Sequence, residues 1–302
     1  MQFYSDISNF FSKDEINNTA KEIGFVVRKS PINGFNFMLT FTTGLLNTPE
    51  STLLQLATFL NSISDTNISP QALYERINDK AVELVKFFLS KALKFSLEKV
   101  DIPNNILSEF SHIWIIDSTN FNLHPSLKEK YKGSSGSASE SAMRIQLLYD
   151  YLSGKTHIVI GDTKTSDSKT LYNIIENDTL CSNGKSLFLQ DLGYFKNDSF
   201  CLLDKSEEFF ASRLKSNVKV FDPAGNKIDI LQILKKEKPE FIEMNVKIGN
   251  LECRLLGNRL PQETVKIKIK KAIDNAIKKG RQVTQDYKIF LTYVFLILIS
   301  RS

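Results

Sequence analysis

Cysteine is scarce and scattered in this 302-residue sequence: Cys181, Cys201 and Cys253 are odd in number and form no C-x-x-C pair. That excludes a disulfide framework and a cysteine-based zinc site, and it points to a reducing cytosol. Histidine is as rare, and His112, His124 and His157 are dispersed, so they read as solvated or loosely packed side chains. No hydrophobic run is long. The longest, Ile289–Ile299 (IFLTYVFLILI), falls short of the roughly 20 residues a bilayer span needs and reads as a buried strand. The N-terminus, MQFYSDISNFF, lacks the basic start of a signal peptide. A Gly/Ser run from Gly133 to Ser137 is flexible by composition and lacks the GxxxxGK[ST] spacing of a phosphate loop. No internal repeat is present.

What is there is an ordinary globular composition, 42% hydrophobic, with a formal net charge of +5. A chain of this length supports a sizeable core and two domains. The basic balance is compatible with a polyanionic partner without requiring one.

Residues 1–105 read as helical. Ser12-Lys13-Asp14-Glu15 looks like an N-cap followed by first-turn acids. Leu53, Leu54, Leu56, Ala57 and Leu60 recur at helical spacing before a polar break at Ser64–Asn67. Ser69-Pro70 then opens a helix expected to run through Leu73, Ile77, Val82 and Phe88 to about Phe95. Two helices joined by a polar turn suggest a helix-turn-helix, with Gln71, Tyr74 and Arg76 on the second helix facing DNA. An ordinary helical hairpin fits the same pattern. Asp101–Asn105, with Pro103, reads as a linker.

From Ser111 the period changes. Ile113-Trp114-Ile115-Ile116 reads as a strand buried on both faces, ending on Asp117. Two strands follow, about Ala142–Asp150 and Lys155–Asp162, joined by Ser153-Gly154 as a hairpin. Asp167-Ser168 caps a helix carrying Leu171, Ile174 and Ile175. Lys185–Asp191 is the next strand and again ends on an aspartate. Strand with terminal Asp, hairpin, helix, strand with terminal Asp is the order of a ribonuclease H-like core. In that order the first and fourth strands are neighbours, so Asp117 and Asp191 come together. A single strand-end Asp is more often a cap, but two side by side repel and are stabilised by a shared cation. Oxygen-only ligands suit Mg²⁺ or Mn²⁺, and such a site can drive in-line displacement at phosphorus.

Beyond Phe195, Asp198–Leu214 reads as mostly helical, Asn217–Phe221 as a strand and Asp222–Asn226 as a turn. Met244–Ile248 and Leu251–Leu255 alternate around Gly249-Asn250, a two-residue hairpin. Thr264–Arg281 is basic, with Lys266, Lys268, Lys270, Lys271, Lys278, Lys279 and Arg281 opposed only by Asp274. It is either a contact to DNA phosphates or a solvated helix face.

Several segments carry a family resemblance. Ile116–Thr119, Arg144–Asp150, Asp167–Lys169, Gln190–Phe195, Ser212–Lys215 and the helical N-terminus resemble the DDE transposases of bacterial insertion sequences, in the group with a β-rich insertion in its core. The resemblance implies an α/β fold with a ribonuclease H-like mixed sheet at 106–195. An inserted β-rich, basic subdomain would occupy 196–286, a last core strand 287–302, and a helical DNA-binding domain would precede them.

It further implies hydrolysis and strand transfer at transposon ends with Mg²⁺ or Mn²⁺. Asp117 and Asp191 would be the first two catalytic acids and metal ligands, and Arg213 would hold a phosphate or flipped nucleotide. The partner would be double-stranded DNA, both terminal repeats and target, in a bacterial or archaeal cytoplasm. A homodimer in a synaptic complex is compatible with it, and no membrane is involved. The family's third acid is a glutamate in a Y-x-x-R-x-x-x-E helix after the last strand. The sequence stops at Ser302, so the chain reads as C-terminally truncated and impaired. Leu298–Ser302 would then come from a shifted frame, checked by translating the downstream DNA. The competing reading is a non-catalytic protein occupying transposon ends.

Overall fold

The computed structural model describes residues 12–45, 51–98, 108–133, 140–177, 180 and 185–299. The expectations placed on 1–11, 101–105, 134–137, Cys181 and 300–302 lie outside them. The chain divides into two compact units, Met1–Asp101 and Ile102–Ser302.

The first unit is helical, as its apolar periodicity requires: α1 (Lys13–Glu22), α2 (Gly34–Leu39, continued by a π-turn), α3 (Leu53–Ser64), α4 (Pro70–Tyr74) and α5 (Asp79–Glu98). Side-chain caps set their starts. Ser12 accepts from the Glu15 N–H, Thr52 and Gln55 close a capping box, and Ser69 caps α4 with Pro70 in its first turn. The core gathers Ile16, Phe25, Phe37, Leu60, Leu73, Leu84 and Phe88.

The single helix expected from Ser69 to about Phe95 is two helices. The chain turns after Tyr74, and the Asn78 carboxamide oxygen accepts from Lys80 N (3.0 Å) and Ala81 N (3.2 Å), restarting the helix. A short polar side chain that bonds the backbone competes with helix continuation. The presumed recognition helix is therefore only Pro70–Tyr74.

The second unit is built on one continuous sheet. Its strands are β1 (His112–Leu123), β2 (Ser141–Asp150), β3 (Thr156–Asp162), β4 (Ser186–Gln190), β5 (Phe209–Arg213), β6 (Val220–Phe221), β7 (Lys227–Ile228), β8 (Phe241–Ile248), β9 (Leu251–Arg259) and β10 (Tyr293–Ile299). Among the described residues they lie in the order β3-β2-β1-β4-β5-β10-β9-β8-β6-β7. The hairpin β2–β3 runs antiparallel beside β1, whereas β4 is parallel to β1 and β5 is parallel to β4. That is the ribonuclease H-like order.

Helix α6 (Asp167–Glu176) links β3 to β4, α7 (Asn197–Lys205) links β4 to β5, and α8 (Ile230–Lys236) follows β7. Both bury apolar residues (Leu171, Ile174, Ile175; Phe200, Leu203) in one cluster with Trp114, Ile116, Leu148, Phe188 and Phe210 of the sheet. Strand alternation sends the intervening residues to the opposite face, where Ile115 is 38% and Ile160 54% exposed. Asp117 shares the parity of Ile115 and is exposed.

Two expectations change here. Asp198–Leu214 is helical only to Lys205, and Phe209–Arg213 is the strand that pairs in parallel with β4. Buried Phe210 and Ser212 alternate with less buried neighbours, a period-2 signal too short to stand out beside an amphipathic helix. The run from Ile289 is a short helix, α10 (Gln285–Phe290), then β10, which lies antiparallel to both β5 and β9.

The β8–β9 hairpin turns as expected at Gly249, whose φ of +60° suits glycine. A Cβ there would lie 2.7 Å from the Asn197 amide nitrogen, so the turn also packs against α7. The basic run forms α9 (Gln262–Lys278), which buries no residue. No helix among the described residues is long and apolar enough to cross a membrane.

Candidate active site

Asp117 does not end its strand. β1 runs on to Leu123 because β2 keeps pairing with it, and the Arg144 Nε donates to the Asn120 side chain at 3.0 Å. What ends at Asp117 is the parallel pairing: Ile116 opposite Gln190 is the last matched pair between β1 and β4. Asp117 and Asp191 each follow that pair by one residue and stand level on neighbouring strands. β5 adds a third position to the row. Ser212 is opposite Gln190, so Arg213 stands level with Asp191 on its other side. Ligands of open α/β sheets bind at this carboxyl edge.

Each aspartate is exposed and makes one local hydrogen bond. Asp117 Oδ1 accepts from Ser118 N and Asp191 Oδ1 from Gly193 N, both at 2.8 Å. The second oxygen of each meets no donor among the described residues. Asp191 also caps the 3₁₀ turn Leu192–Tyr194. A side chain on Gly193 would bring its Cβ to 3.1 Å from Asp191 Oδ1 and 3.8 Å from Asp167 Oδ2. The glycine therefore keeps the space between these two carboxylates open.

Asp167 is the acid that sequence reasoning treated as a helix cap. The cap is Ser166, which accepts from Lys169 N, so the Asp167 side chain turns to the sheet. Its Oδ1 accepts from Ser118 Oγ (2.8 Å) and Gln146 Nε2 (3.1 Å), with Arg144 Nε at 3.3 Å. Arg144 also reaches the carbonyls of Thr163 and Thr165. Ser118 is thus held through its hydroxyl while its N–H holds Asp117. The missed signal was alternation: Ser118 and Gln146 are a matched pair across β1 and β2 and so share a face.

Tyr194 lies beneath this group, 1% exposed. Burial pushes its phenol well above the ordinary value. A hydrogen bond with the Ser118 hydroxyl pulls the other way, and the charges of Asp167, Asp117 and Asp191 raise it further. The Ser118 hydroxyl in turn donates to Asp167 Oδ1 at 2.8 Å.

The donor set fits a hard divalent cation. It is all oxygen, exposed, and leaves one carboxylate oxygen per strand available. Among the described residues no group of three or more His, Cys, Asp or Glu side chains is arranged to hold a metal. The pair is therefore not completed by a third acid here, Asp167 included.

The expected DNA contacts separate into groups. Arg213 is exposed beside the aspartates. Lys268 of α9 has its pKa lowered, by burial first and then by the charge of Arg213, so this lysine belongs to the same edge. Lys266, Lys270, Lys271, Lys278, Lys279 and Arg281 are exposed along and just beyond α9. In the helical unit Tyr74 is 58% exposed, and exposed Gln71 bonds Glu75 at 3.2 Å. Arg76 is turned inward: its guanidinium donates to Phe25 O (3.0 Å) and Ser30 Oγ (3.2 Å) and lies over the Phe25 ring.

His112 departs from the expectation of a loosely packed histidine. At the start of β1 its Nδ1 lies 2.7 Å from Asp150 Oδ2. Asp150 is fully buried and also accepts from the N–H groups of Ile113 (3.1 Å) and Leu152 (3.2 Å) and from the Ser153 hydroxyl. Burial alone would raise its pKa. Hydrogen bonds from Ser153, His112, Ile113 and Leu152 outweigh it and hold the carboxyl below the usual 3.8.

Parallel strands carrying level aspartates, inside the order β3-β2-β1-β4-β5, make up a ribonuclease H-like core. Comparison with known proteins is specific. The family model "Transposase DDE domain" matches residues 109–272, which span β1 to the middle of α9, and the chain belongs to this DDE transposase family. The family acts on DNA and uses divalent metal.

Relatives include the transposase for insertion sequence element IS231F of Bacillus thuringiensis subsp. israelensis, 28% identical over 95% of this chain and 64% of its own length. The transposase for IS1151 of Clostridium perfringens is 30% identical over 92% of this chain and 63% of its own length. That for IS231B of Bacillus thuringiensis subsp. berliner is 28% identical over 88% and 54%. The chain thus spans between half and two thirds of the length of these relatives.

Proposed function

We propose that this chain carries the end-binding part and the first two catalytic acids of an insertion-sequence transposase. Its reaction would be hydrolysis at transposon ends and transfer of the freed 3′-hydroxyl to target DNA. The carrying observation is the level placement of Asp117 and Asp191 on adjacent parallel strands. Mg²⁺ or Mn²⁺ bound there would activate the attacking hydroxyl and stabilise the leaving oxygen. Asp117 and Asp191 would hold it through their unpaired oxygens. The Asp167–Ser118 bond would fix the backbone beneath Asp117, and Arg213 with Lys268 would neutralise a backbone phosphate beside the pair. The remaining cations of α9 would follow the duplex outward, and the exposed Gln71–Tyr74 surface of the helical unit would make a DNA contact of its own. Within the second unit, 106–195 would be the first part of the core, 196–286 the insertion and 287–302 a closing strand. Work on both ends at once would suit a homodimer, in a bacterial or archaeal cytoplasm.

A second reading is supported by the two-acid site. With no third acid grouped there among the described residues, these 302 residues alone would bind end DNA and cut it poorly. The test is the purified chain with Mn²⁺ and a labelled end duplex. Nicked strands lost in Asp117→Asn support the enzyme, and shifted complexes without nicks support the end-binding form. A duplex neither shifted nor cut would overturn both.

A further inference from the structure

Asp167 is anchored by more bonds than its place in the first turn of α6 requires, since Ser166 does the capping. Its Oδ1 accepts from the Ser118 hydroxyl at 2.8 Å and from Gln146 Nε2 at 3.1 Å, with Arg144 Nε at 3.3 Å. That guanidinium is itself fixed, by Asn120 Oδ1 at 3.0 Å and by the carbonyls of Thr163 and Thr165. The cluster stands where β1 loses a neighbour. Pairing with β4 ends at Ile116, so from Asp117 onward the strand is paired with β2 alone. There Ser118 bonds in two directions. Its hydroxyl donates to Asp167, and its N–H donates to Asp117 Oδ1 at 2.8 Å. The same acid borders Asp191. A Cβ on Gly193 would lie 3.1 Å from Asp191 Oδ1 and 3.8 Å from Asp167 Oδ2, so the two carboxylates edge one small space. Neighbouring carboxylates repel, and Arg144 offsets this through the other oxygen of Asp167.

We propose that Asp167, held by Arg144, is a positioning residue for the aspartate pair. Its bond to the Ser118 hydroxyl fixes the N–H that orients the Asp117 carboxylate, at the point where β4 no longer supports the strand. This rests on the reading of Asp117 and Asp191 as the metal site. Asp167 supports that site and is not a third ligand. Its Oδ1 is taken by donors of the protein, and no group of three acids among the described residues is arranged to hold a metal.

The test is Mn²⁺ titration of the 302-residue chain, followed by the loss of free-ion electron paramagnetic resonance signal. The variants are Asp167→Ala, Asp167→Asn, Ser118→Ala, the double change Asp167→Ala with Ser118→Ala, and Asp117→Asn. Each is titrated at a temperature where circular dichroism shows it folded. Asp167→Ala should lower Mn²⁺ affinity about tenfold, the usual scale for groups that orient metal ligands. Asparagine loses the charge but keeps an oxygen for Ser118, so Asp167→Asn should stay close to wild type. Ser118→Ala should cost as much affinity as Asp167→Ala. The double variant should bind no more weakly than either single one, because both remove the same bond. Equal losses in Asp167→Asn and Asp167→Ala would overturn the proposal, since the acid would then act by its charge or as a ligand. Losses that multiply in the double variant would overturn it as well, as two independent structural effects. Unchanged affinity in Asp167→Ala, while Asp117→Asn no longer binds, would remove the positioning role and leave the metal pair intact. If Asp167→Ala does not fold, the same result in Ser118→Ala decides. If Asp117→Asn binds Mn²⁺ as wild type does, the metal pair itself is wrong and the proposal falls with it.

Discussion

The β1–β2 pair carries two aspartates, Asp150 at one end and Asp117 within it, and the two are built in opposite ways. Asp150 is fully buried and accepts from two backbone N–H groups, a serine hydroxyl and His112. Asp117 is exposed, accepts one hydrogen bond from its own neighbour's N–H, and keeps an oxygen without a donor. A carboxylate whose lone pairs are all answered by the protein holds the fold together. One left unanswered at the carboxyl edge of parallel strands, level with a second like it, remains available to a cation. Residue type does not separate them; the count of donors does.

The contrast can be broken from either side. Asp150→Ala should cost the most, about 3–5 kcal/mol, because it strands several buried donors at once; chemical denaturation would measure it. Asp117→Asn should leave unfolding stability unchanged or slightly raised, since it relieves repulsion with Asp191, while abolishing Mn²⁺-dependent nicking wherever the chain nicks at all. Equal destabilisation by both changes would erase the distinction.

Acid sharpens it further. The Asp150 pKa is lowered in the folded state, so its contribution to stability is fully present above the unfolded value near 3.8 and is lost as pH falls through the folded value. Stability measured downward from pH 5 should therefore fall less steeply in Asp150→Asn than in wild type. A smaller effect is expected at the basic edge. Arg213→Ala and Lys268→Ala should each lower the slope of log affinity for end DNA against log salt by about 1. Arg76→Ala, whose guanidinium is engaged by Phe25 and Ser30, should lower stability by about 1 kcal/mol and leave that slope alone.

Much of this was legible in the sequence because it rests on periodicity. The run Ile113–Ile116, the Ser153-Gly154 turn and the Leu187–Gln190 alternation fix three neighbouring strands and their order, and the order alone brings Asp117 to Asp191. What could not be read depends on partners distant in the chain. β1 outruns Asp117 because β2 continues beside it. β5 is five residues long with a weak alternation, so it was hidden behind the helix before it. Asp167 looked like a cap because the serine that does the capping stands one residue earlier. Arg76 looked like a DNA contact because only the fold reveals that Phe25 and Ser30 receive it.

The convergence of two aspartates on one cation is tested most directly by letting that cation mark its own neighbours. Fe²⁺ exchanged into the site and treated with ascorbate and peroxide generates short-lived radicals that cut nearby backbone. The 302-residue chain should be cleaved at two places, around residue 117 and around residue 191, and both cuts should disappear together with excess Mg²⁺ or in Asp117→Asn. Cleavage at only one of these segments, at neither, or at both but unaffected by Asp117→Asn would contradict a shared site.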